Sequence, residues 1–359
     1  MFKPKPWIVL SALLFCLSCS PSSRKTGEYR IALVPARSGQ HGIFLLNADT
    51  TGGKLLTSDP TAQLRTSSWS PDGKKILFFA ARHEDSQILT KYRMPMHLPL
   101  YWMDATGANR NRLLDFPVSR FEWSPDSRQL LVVSAYEDPA HDDLDVVGGK
   151  RSPMSAAYLV NLQTGDKKRV TGFGQNCYGS FSPDGTRLAL SFGNEQSTEI
   201  YAVSLDGHHS KRVDEGSQAN DIKPVWSPDS KRIAYISIAS QSEGGTSTAW
   251  VVNADGTNRK QVGSSVAQEV SWSPDGKAIM VQTPGALVLS YVDENRSVNL
   301  TGGTVEPKDA VFAPNGREVI FRSPHEGDWN LYAIELKTLK VRRITGQLTS
   351  SMFCLSPLR

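Results

Sequence analysis

Short apolar runs alternate with polar turns along most of the chain. Runs such as "ILFFA", "LLVVS" and "IAYIS" are followed by second runs such as "LYWMD", "AYLVN" and "AWVVN". They are about five residues long, rich in β-branched and aromatic residues, and bounded by Gly, Pro, Asp or Ser, which is typical of β-strands. A polar turn such as "ADGTNRK" then leads to a further strand, as in "RLLDF", "RVTGF" and "RRITG". With one more strand before the first of these runs, the pattern predicts four-stranded antiparallel units.

One phrase recurs in six of the units, where it joins the first strand to the second. It reads "SWSPDGKKILFF" at Ser68, "EWSPDSRQLLVV" at Glu122, "SFSPDGTRLALS" at Ser180, "VWSPDSKRIAYI" at Val225, "SWSPDGKAIMVQ" at Ser271 and "VFAPNGREVIFR" at Val311. The steps between the six prolines are 54, 58, 45, 46 and 40 residues. A period in this range indicates an array of like units. The phrase is therefore a building element, because six copies cannot all be active sites.

The chemistry of the phrase predicts a hairpin turn. Proline presets φ, aspartate bonds nearby main-chain amides, and glycine accepts a left-handed conformation. The aspartates Asp72, Asp126, Asp184, Asp229 and Asp275 are accordingly interpreted as structural. The preceding aromatics are Trp69, Trp123, Phe181, Trp226, Trp272 and Phe312. Side chains of this size bury about 150–250 Å² each, and they are predicted to pack between neighbouring sheets.

Four-stranded antiparallel units repeated radially describe a β-propeller. The repeat resembles the TolB-type propeller repeat, a relative of the WD-type repeat, over residues 29–359. This resemblance covers the propeller part of that family only and implies an all-β fold.

The two ends of the repeat region decide the number of blades. Residues 29–57 predict strands two to four of a unit without its first strand, and Pro357 falls 43 residues after Pro314, where the next first strand is expected. Joining the ends completes a seven-bladed propeller and removes the unpaired edges at the seam. A six-bladed ring is the alternative.

The N-terminus predicts export. Lys3 and Lys5 precede an apolar run, residues 7–17, that is too short to span a bilayer. Leu17-Ser18-Cys19 resembles the lipobox, with Cys16 where that pattern usually has leucine. Residues 1–18 are therefore interpreted as a lipoprotein signal peptide, and ordinary cleavage nearby is the alternative.

A lipidated Cys19 would place the protein in the cell envelope. Ser20 follows it, which resembles the sorting pattern for the outer membrane, so the periplasmic side or the outer membrane is expected. Residues 19–28 are polar and small and predict a flexible tether. Contact with the membrane is expected through the lipid anchor only.

Charge and cysteines restrict the partners. Loss of residues 1–18 removes two lysines and no acid, so the net charge falls from +4 to +2. No general polyanion-binding field follows, and nucleic acid is not an expected partner. Cys177 and Cys354 fall on nearly opposite blades, whereas a disulfide needs Cα atoms within about 7 Å. Both are interpreted as structural thiols in a monomer.

One column of residues marks a candidate binding rim. The fifth residue before each proline enters the innermost strand near the channel mouth, on the face opposite the Ser-Pro-Asp-Gly turns. The members are Thr66, Arg120, Tyr178, Lys223, Glu269, Asp309 and Met352. We predict that Arg120, Tyr178, Lys223, Glu269 and Asp309 bind a partner. The alternative is a solvated rim whose charges partly neutralise each other.

Two long insertions, residues 82–100 and 136–154, are predicted on the same face. Long adjacent loops are more often functional than decorative. Tyr92 and Arg93 in the first are predicted to contact a protein or peptide partner. In the second, the acidic stretch 137–145 contains ligands suited to Ca²⁺ but lacks EF-hand spacing, so a solvated acidic loop is favoured.

The sequence contains few features typical of an active site. No Gly-x-Ser-x-Gly elbow occurs in the chain, so similarity to the propeller of prolyl-oligopeptidase-like enzymes brings no triad. Oligogalacturonate lyases use a similar propeller with a histidine cluster, which the scattered histidines here do not match. His208 and His209 are adjacent on a predicted surface turn. No catalytic residue, metal or cofactor is therefore predicted.

Two functions remain open. The first is a non-catalytic binding scaffold for an envelope protein, peptide or glycan. The second is a propeller lyase or hydrolase acting on an extracellular carbohydrate or peptide, with Lys223, Glu269 and Asp309 as acid, base or electrostatic groups.

Overall fold

The computed structural model describes residues 29–35, 42–58, 63–86, 98–134, 155–171, 175–193, 197–206, 209–217, 219–239, 246–303, 305–324, 329–345 and 350–357. Within these ranges it contains 28 strands and one 3-10 helix, His83–Asp85. The signal peptide, the lipobox with Cys19 and the tether lie outside the described residues. No helix in the described part of the chain is long and apolar enough to cross a membrane.

The strands form seven four-stranded antiparallel sheets in the described residues, which confirms the all-β, seven-bladed prediction. Six sheets each use four consecutive strands. Blade 1 contains β4 (Gln63–Trp69), β5 (Lys75–Ala81), β6 (Leu100–Asp104) and β7 (Asn111–Arg112); blade 2 contains β8 (Arg120–Trp123), β9 (Gln129–Ser134), β10 (Ala156–Asn161) and β11 (Lys167–Arg169); blade 3 contains β12 (Gln175–Phe181), β13 (Arg187–Gly193), β14 (Thr198–Ser204) and β15 (Ser210–Arg212). Blade 4 contains β16 (Asn220–Trp226), β17 (Arg232–Ile238), β18 (Ser247–Asn253) and β19 (Lys260–Ser265); blade 5 contains β20 (Glu269–Trp272), β21 (Ala278–Gln282), β22 (Leu287–Tyr291) and β23 (Arg296–Asn299); blade 6 contains β24 (Lys308–Phe312), β25 (Glu318–Ser323), β26 (Asn330–Glu335) and β27 (Val341–Arg343).

Blade 7 joins the two ends of the repeat region. Its strands are β28 (Ser350–Leu355), β1 (Arg30–Pro35), β2 (Gly42–Asn47) and β3 (Lys54–Ser58), in that order. The antiparallel pairing of β1 with β28 places Ile31 opposite Leu355. Beyond the strand end, the main-chain N–H of Arg30 donates to the Ser356 hydroxyl at 2.8 Å. The ring therefore closes as expected, and the six-bladed alternative is wrong.

The repeated turns have the structural role that the sequence predicts. In blade 1 the Ser70 hydroxyl donates to Asp72 at 2.6 Å, and Asp72 also accepts the main-chain N–H of Lys74 at 3.0 Å. The same contacts occur at Asp126, Asp184, Asp229 and Asp275. In blade 2, Ser127 occupies the glycine position with φ +62° and accepts the main-chain N–H of Asp72 through its hydroxyl. That serine thus ties one turn to the turn of the preceding blade.

Seven apolar clusters in the described residues fill the seven interfaces between blades. The aromatic residue before the turn lies in or beside six of them, and Trp69, Trp123, Phe181, Trp226 and Trp272 are each less than 9% exposed. An arginine of the preceding blade covers the tryptophan in three cases: Arg30 over Trp69, Arg187 over Trp226 and Arg232 over Trp272. The predicted packing between sheets is confirmed.

The outermost strands are shorter than the sequence predicts. Segments such as "RLLDF" and "RRITG" hold only the last residues of β7 and β27. Just beyond three of these strands, the hydroxyls of Thr171, Thr301 and Thr345 accept main-chain N–H groups of the neighbouring strand. At each of these positions a threonine hydroxyl takes one hydrogen bond, while the neighbouring strand still accepts a main-chain N–H from Val170, Leu300 or Ile344. A strand pattern does not reveal this mixed edge.

Candidate functional site

The predicted rim residues lie on the inner strands, and bulges set the direction of two of them. Arg120 and Glu269 begin their strands, whereas Tyr178 and Lys223 lie in the middle of theirs. The register shifts between Ile222 and Val225 in blade 4 and between Lys308 and Val311 in blade 6. Lys223 and Asp309 fall inside these bulges with φ of +55° and +51°. A bulge adds an unpaired residue and re-aims a side chain, often next to a functional site. A non-glycine residue in the left-handed region also stores backbone strain. Such residues are common at functional sites, where the surrounding structure holds them in place.

Two blades meet at the rim through Arg120 and Tyr178. The Arg120 guanidinium lies 3.7 Å from the centroid of the Tyr178 ring, and its Nη2 donates to the Tyr178 hydroxyl at 2.8 Å. Lys223 approaches the same ring at 5.9 Å. Arg120 is exposed and Tyr178 is half-buried. None of the described carboxylates pairs with Arg120.

Lys223 continues this line of contacts into blade 5. Its ammonium contacts the Glu269 carboxylate and donates to the main-chain oxygen of Gln268 at 3.0 Å. The side-chain oxygen of Gln268 in turn accepts from Lys308 of blade 6 at 3.4 Å. Lys223 of blade 4 and Lys308 of blade 6 therefore both bind Gln268, the residue just before β20 of blade 5.

Asp309 is neutralised by a residue that the sequence column did not include. Arg322, on β25 of the same blade, contacts the Asp309 carboxylate, with its Nε 2.6 Å from Oδ2. The Arg322 guanidinium also lies 5.1 Å from the centroid of the Trp329 ring. Asp309 is therefore engaged within blade 6, while Lys223 and Glu269 pair with each other.

The remaining rim positions contribute little charge. Met352 is half-buried, and the side chain of Thr66 lies outside the described residues. The described rim then holds four cations, Arg120, Lys223, Lys308 and Arg322, and two carboxylates, Glu269 and Asp309. These six residues carry an excess of two positive charges, which the partly ionised Glu122 near Arg120 reduces at neutral pH without removing it, so the rim can attract an acidic partner.

Glu122 is a residue of the inner strand of blade 2 that the sequence reasoning missed. It follows Arg120 by two positions on β8, so both lie on the same face of the strand, while Trp123 packs into the core between blades 1 and 2. β8 pairs only with β9, and its other edge is open. Part of the Glu122 side chain is exposed to solvent, but the protein that surrounds its carboxylate desolvates it and raises its pKa to about 7. Both properties fit a carboxylate facing a narrow central channel.

The signal for Glu122 was present in the repeat. At the third position before each proline the other blades have uncharged residues, namely Ser68, Ser180, Val225, Ser271, Val311 and Cys354. Glu122 is the one ionisable carboxylate in this column. Comparing the blades at this position would have identified it.

Two aspartates lie buried between blades 3 and 4, outside the rim. Asp214 and Asp221 are both 0% exposed. Arg212 binds Asp214 at 2.8 Å, whereas Nη2 of Arg259 lies 3.9 Å from Asp221. Burial first, and then the neighbouring Asp214, raise the pKa of Asp221. Asp221 is therefore the less compensated carboxylate of the pair.

The insertions are described only in part. Tyr92 and Arg93 lie outside the described residues, as does the whole acidic stretch 137–145 with its candidate Ca²⁺ ligands. The first insertion is anchored at both ends, by the fully buried Asp85 in the 3-10 helix and by a bridge between Leu98 and Val118. The predicted contacts of these loops with a partner stay predictions.

The structure describes only some of the predicted cysteine and histidine positions. Cys354 is a free thiol 3.1 Å from the Ser67 hydroxyl, and burial raises its pKa to about 12, as expected of a structural thiol. The side chain of Cys177 lies outside the described residues, as does His208; His209 is exposed. In the described part of the chain, no three His, Cys, Asp or Glu side chains are grouped to hold a metal ion.

Comparison with known proteins places this fold in a family. The model of the TolB beta propeller domain matches residues 93–352. Dipeptidyl-peptidase 5 of Porphyromonas gingivalis is 36% identical over 372 aligned positions, which cover 92% of this chain and 47% of that protein. The Tol-Pal system protein TolB of Francisella tularensis is 29% identical over 239 positions, covering 61% of this chain and 49% of that protein. The chain thus spans about half the length of these curated relatives.

Solved structures agree on the fold. An oligogalacturonate lyase from Vibrio parahaemolyticus has a TM-score of 0.60 at 15% identity, and the match covers 82% of this chain and 83% of that one. Identity this low shows the fold alone. The family match extends over most of the repeats that carry the turn phrase and the rim, and the chain belongs to the TolB β-propeller domain family.

Proposed function

We propose that this protein is a cell-envelope binding scaffold without catalytic activity, whose rim contacts an acidic protein or peptide. The observation that carries the proposal is the charge of the rim. Its two carboxylates pair with Lys223 and Arg322, and Arg120 is left with Tyr178 as its partner. The excess positive charge favours association with acidic groups and raises the association rate.

The Arg120 and Tyr178 pair is the proposed centre of this surface. Interface energy concentrates in a few aromatic and arginine residues. Tyr178 offers a half-buried ring and Arg120 an exposed guanidinium that already lies in a fixed position over it. Less conformational entropy is lost on binding when such groups are already ordered.

A binding experiment with defined probes tests this function. Fluorescent hexaglutamate, hexalysine and an acidic glycan are titrated into the protein lacking residues 1–28. We expect hexaglutamate to bind best, and Arg120→Ala and Tyr178→Ala to weaken it tenfold or more, about 1.4 kcal/mol. Asp184→Ala, which alters a turn remote from the rim, is the control and leaves binding unchanged.

Two results would remove the proposal. Equal binding of hexaglutamate and hexalysine would exclude charge recognition, and tight binding of the glycan alone would replace the polypeptide by a glycan as partner. Affinity capture from solubilised envelope with the same variants then identifies the natural partner.

We also propose that the protein acts as a monomer held to the envelope by lipid at Cys19. The support is the basic and apolar leader followed by Leu17-Ser18-Cys19. Cys19→Ala is expected to abolish incorporation of labelled fatty acid and to release the folded ring into the soluble periplasmic fraction. Labelling that persists in this variant would contradict the anchor.

A propeller enzyme is the second candidate, favoured by the similarity to a dipeptidyl-peptidase over most of this chain. It would use Lys223, Glu269 and Asp309 on a peptide or carbohydrate. The geometry favours it less, because Asp309 pairs with Arg322 rather than with the other two. Cleavage of dipeptide or polygalacturonate substrates that is lost in Glu269→Gln would support this alternative.

A further inference from the structure

Blade 1 contains a polar cleft separate from the rim residues. Its volume is about 460 Å³, and it is lined by Arg82, Glu84, Tyr101, Arg110, Asn111 and Arg112. Small-molecule sites are usually about 300–1,000 Å³ in volume. The cleft is therefore large enough for a ligand the size of a sugar.

A buried carboxylate organises the floor of this cleft. Asp85 is 0% exposed and accepts the main-chain N–H of Arg82 at 2.9 Å and the Tyr101 hydroxyl at 3.0 Å. Nη1 of Arg112 lies 3.5 Å from the other oxygen of Asp85. The Asp85 carboxylate thus forms its hydrogen bonds inside the protein. From there it fixes the orientation of Tyr101 and Arg112, which line the cleft.

The arginines leave positive charge facing the cleft. Arg82 lies over the Tyr101 ring, 4.4 Å from its centroid, and its Nη1 is 3.4 Å from Glu84. Arg112 forms an ion pair with Asp85. Arg110 contacts the Thr57 hydroxyl and pairs with none of the described carboxylates. Among the described residues at the cleft, Glu84 and Asp85 lie near Arg82 and Arg112, and the Arg110 guanidinium is paired with neither carboxylate. Guanidinium forks match the geometry of carboxylate and phosphate groups.

We propose that this cleft binds a sugar-sized molecule carrying one oxyanion group, a phosphate or a carboxylate. Arg110 and Arg112 lie two positions apart, on the same side of the chain at β7, and both contact the oxyanion. The cleft is much larger than one phosphate ion, and its lining is polar apart from the Tyr101 ring, which suits a hydroxyl-rich ligand. This site is independent of the proposed rim function.

Calorimetric titration of the full chain with four probes tests the proposal. The probes are glucose 6-phosphate, glucuronate, glucose and inorganic phosphate. We expect one of the two charged sugars to bind at least tenfold more tightly than both glucose and inorganic phosphate, and which one it is distinguishes a phosphate ligand from a carboxylate ligand. Arg110→Gln is expected to weaken that binding tenfold or more.

The variants separate binding from folding. Arg112→Gln removes a partner of the buried Asp85 and can lower stability, whereas Arg110→Gln removes no carboxylate partner and is the decisive variant. Arg296→Gln is the control for loss of an arginine away from the cleft; Arg296 stacks on Tyr291 and pairs with Glu294, as Arg82 does with Tyr101 and Glu84. Binding unaffected by Arg110→Gln, equal affinity for glucose, or no binding of either charged sugar at millimolar concentration would overturn the site.

Discussion

The guanidinium of Arg120 lies 3.7 Å from the centroid of the Tyr178 ring and connects the inner strands of blades 2 and 3 at the rim. An exposed cation–π contact of this kind contributes about 0.5–1 kcal/mol. A double-mutant cycle with Arg120→Ala and Tyr178→Ala is expected to give a coupling energy in that range, measured by urea denaturation. A coupling near zero would mean that the contact has no role in holding the two blades in register.

Ring closure depends on β28. Deleting residues 350–359 removes the innermost strand of blade 7 and leaves β1 with one unpaired edge. Unpaired edges promote association with other chains. We expect the truncated protein to be insoluble or oligomeric, measured by size-exclusion chromatography with light scattering. A monomer with unchanged melting temperature would show that closure contributes nothing to the stability of the ring.

The seven blades and their turns could be predicted because each depends on a local phrase repeated along the chain. Pro, Asp and Gly determine a turn through contacts within four residues. The local sequence is therefore enough to predict each turn. The distance from the proline also defined the column of rim residues, whose role in binding stays a prediction. Arg120 and Tyr178, 58 residues apart, do meet.

The pairing at the rim could not be predicted in the same way. The bulges at Lys223 and Asp309 change side-chain direction, and nothing in the alternation of residues indicates a bulge. Arg322 therefore pairs with Asp309 instead of leaving it near Glu269. Asp214 and Asp221 belong to different blades, so their proximity depends on packing between blades.

The Asp184 turn should be sensitive to substitution and to acid. Burial acts to raise the pKa of Asp184, but hydrogen bonds from Ser182 and Thr186 outweigh it and hold the pKa at about 2. Because the folded pKa is below the ordinary 3.8, the stabilisation is present above pH 3.8 and is lost as the pH falls toward 2. Asp184→Ala should lower the free energy of unfolding at pH 7 by about 1–2 kcal/mol, measured by urea denaturation.

Asp184→Asn is the matched control for that turn. Asn315 holds the equivalent position in blade 6, where its side-chain oxygen accepts the main-chain N–H of Arg317 at 2.9 Å. The asparagine variant should therefore retain most of the stability that alanine loses. Equal losses for both variants would assign the effect to charge rather than to the hydrogen bonds.

Asp221 should make the protein less stable at alkaline pH. Burial and the neighbouring Asp214 raise its pKa above the ordinary 3.8, so the folded state favours the protonated form. This stabilisation is complete below about pH 4 and is lost as the pH rises through the folded pKa. Asp221→Asn keeps the neutral form and should raise the free energy of unfolding at pH 9 by about 1 kcal/mol or more. Chemical denaturation from pH 5 to about pH 9 measures this, and parallel profiles for the two proteins would contradict it.

Glu122 should titrate near neutrality because of its position in the channel. Burial raises its pKa to about 7, and no charged neighbour contributes. A ¹³C-carboxyl NMR titration, with Glu122→Gln to assign the signal, should give a midpoint near 7 rather than the value of about 4.3 of a solvated glutamate. If the channel is the cause, a glutamate placed at the same repeat position of another blade should behave alike. Ser271→Glu in the Glu122→Gln background should also titrate well above 4.3, whereas a midpoint near 4.3 there would assign the shift to contacts peculiar to blade 2.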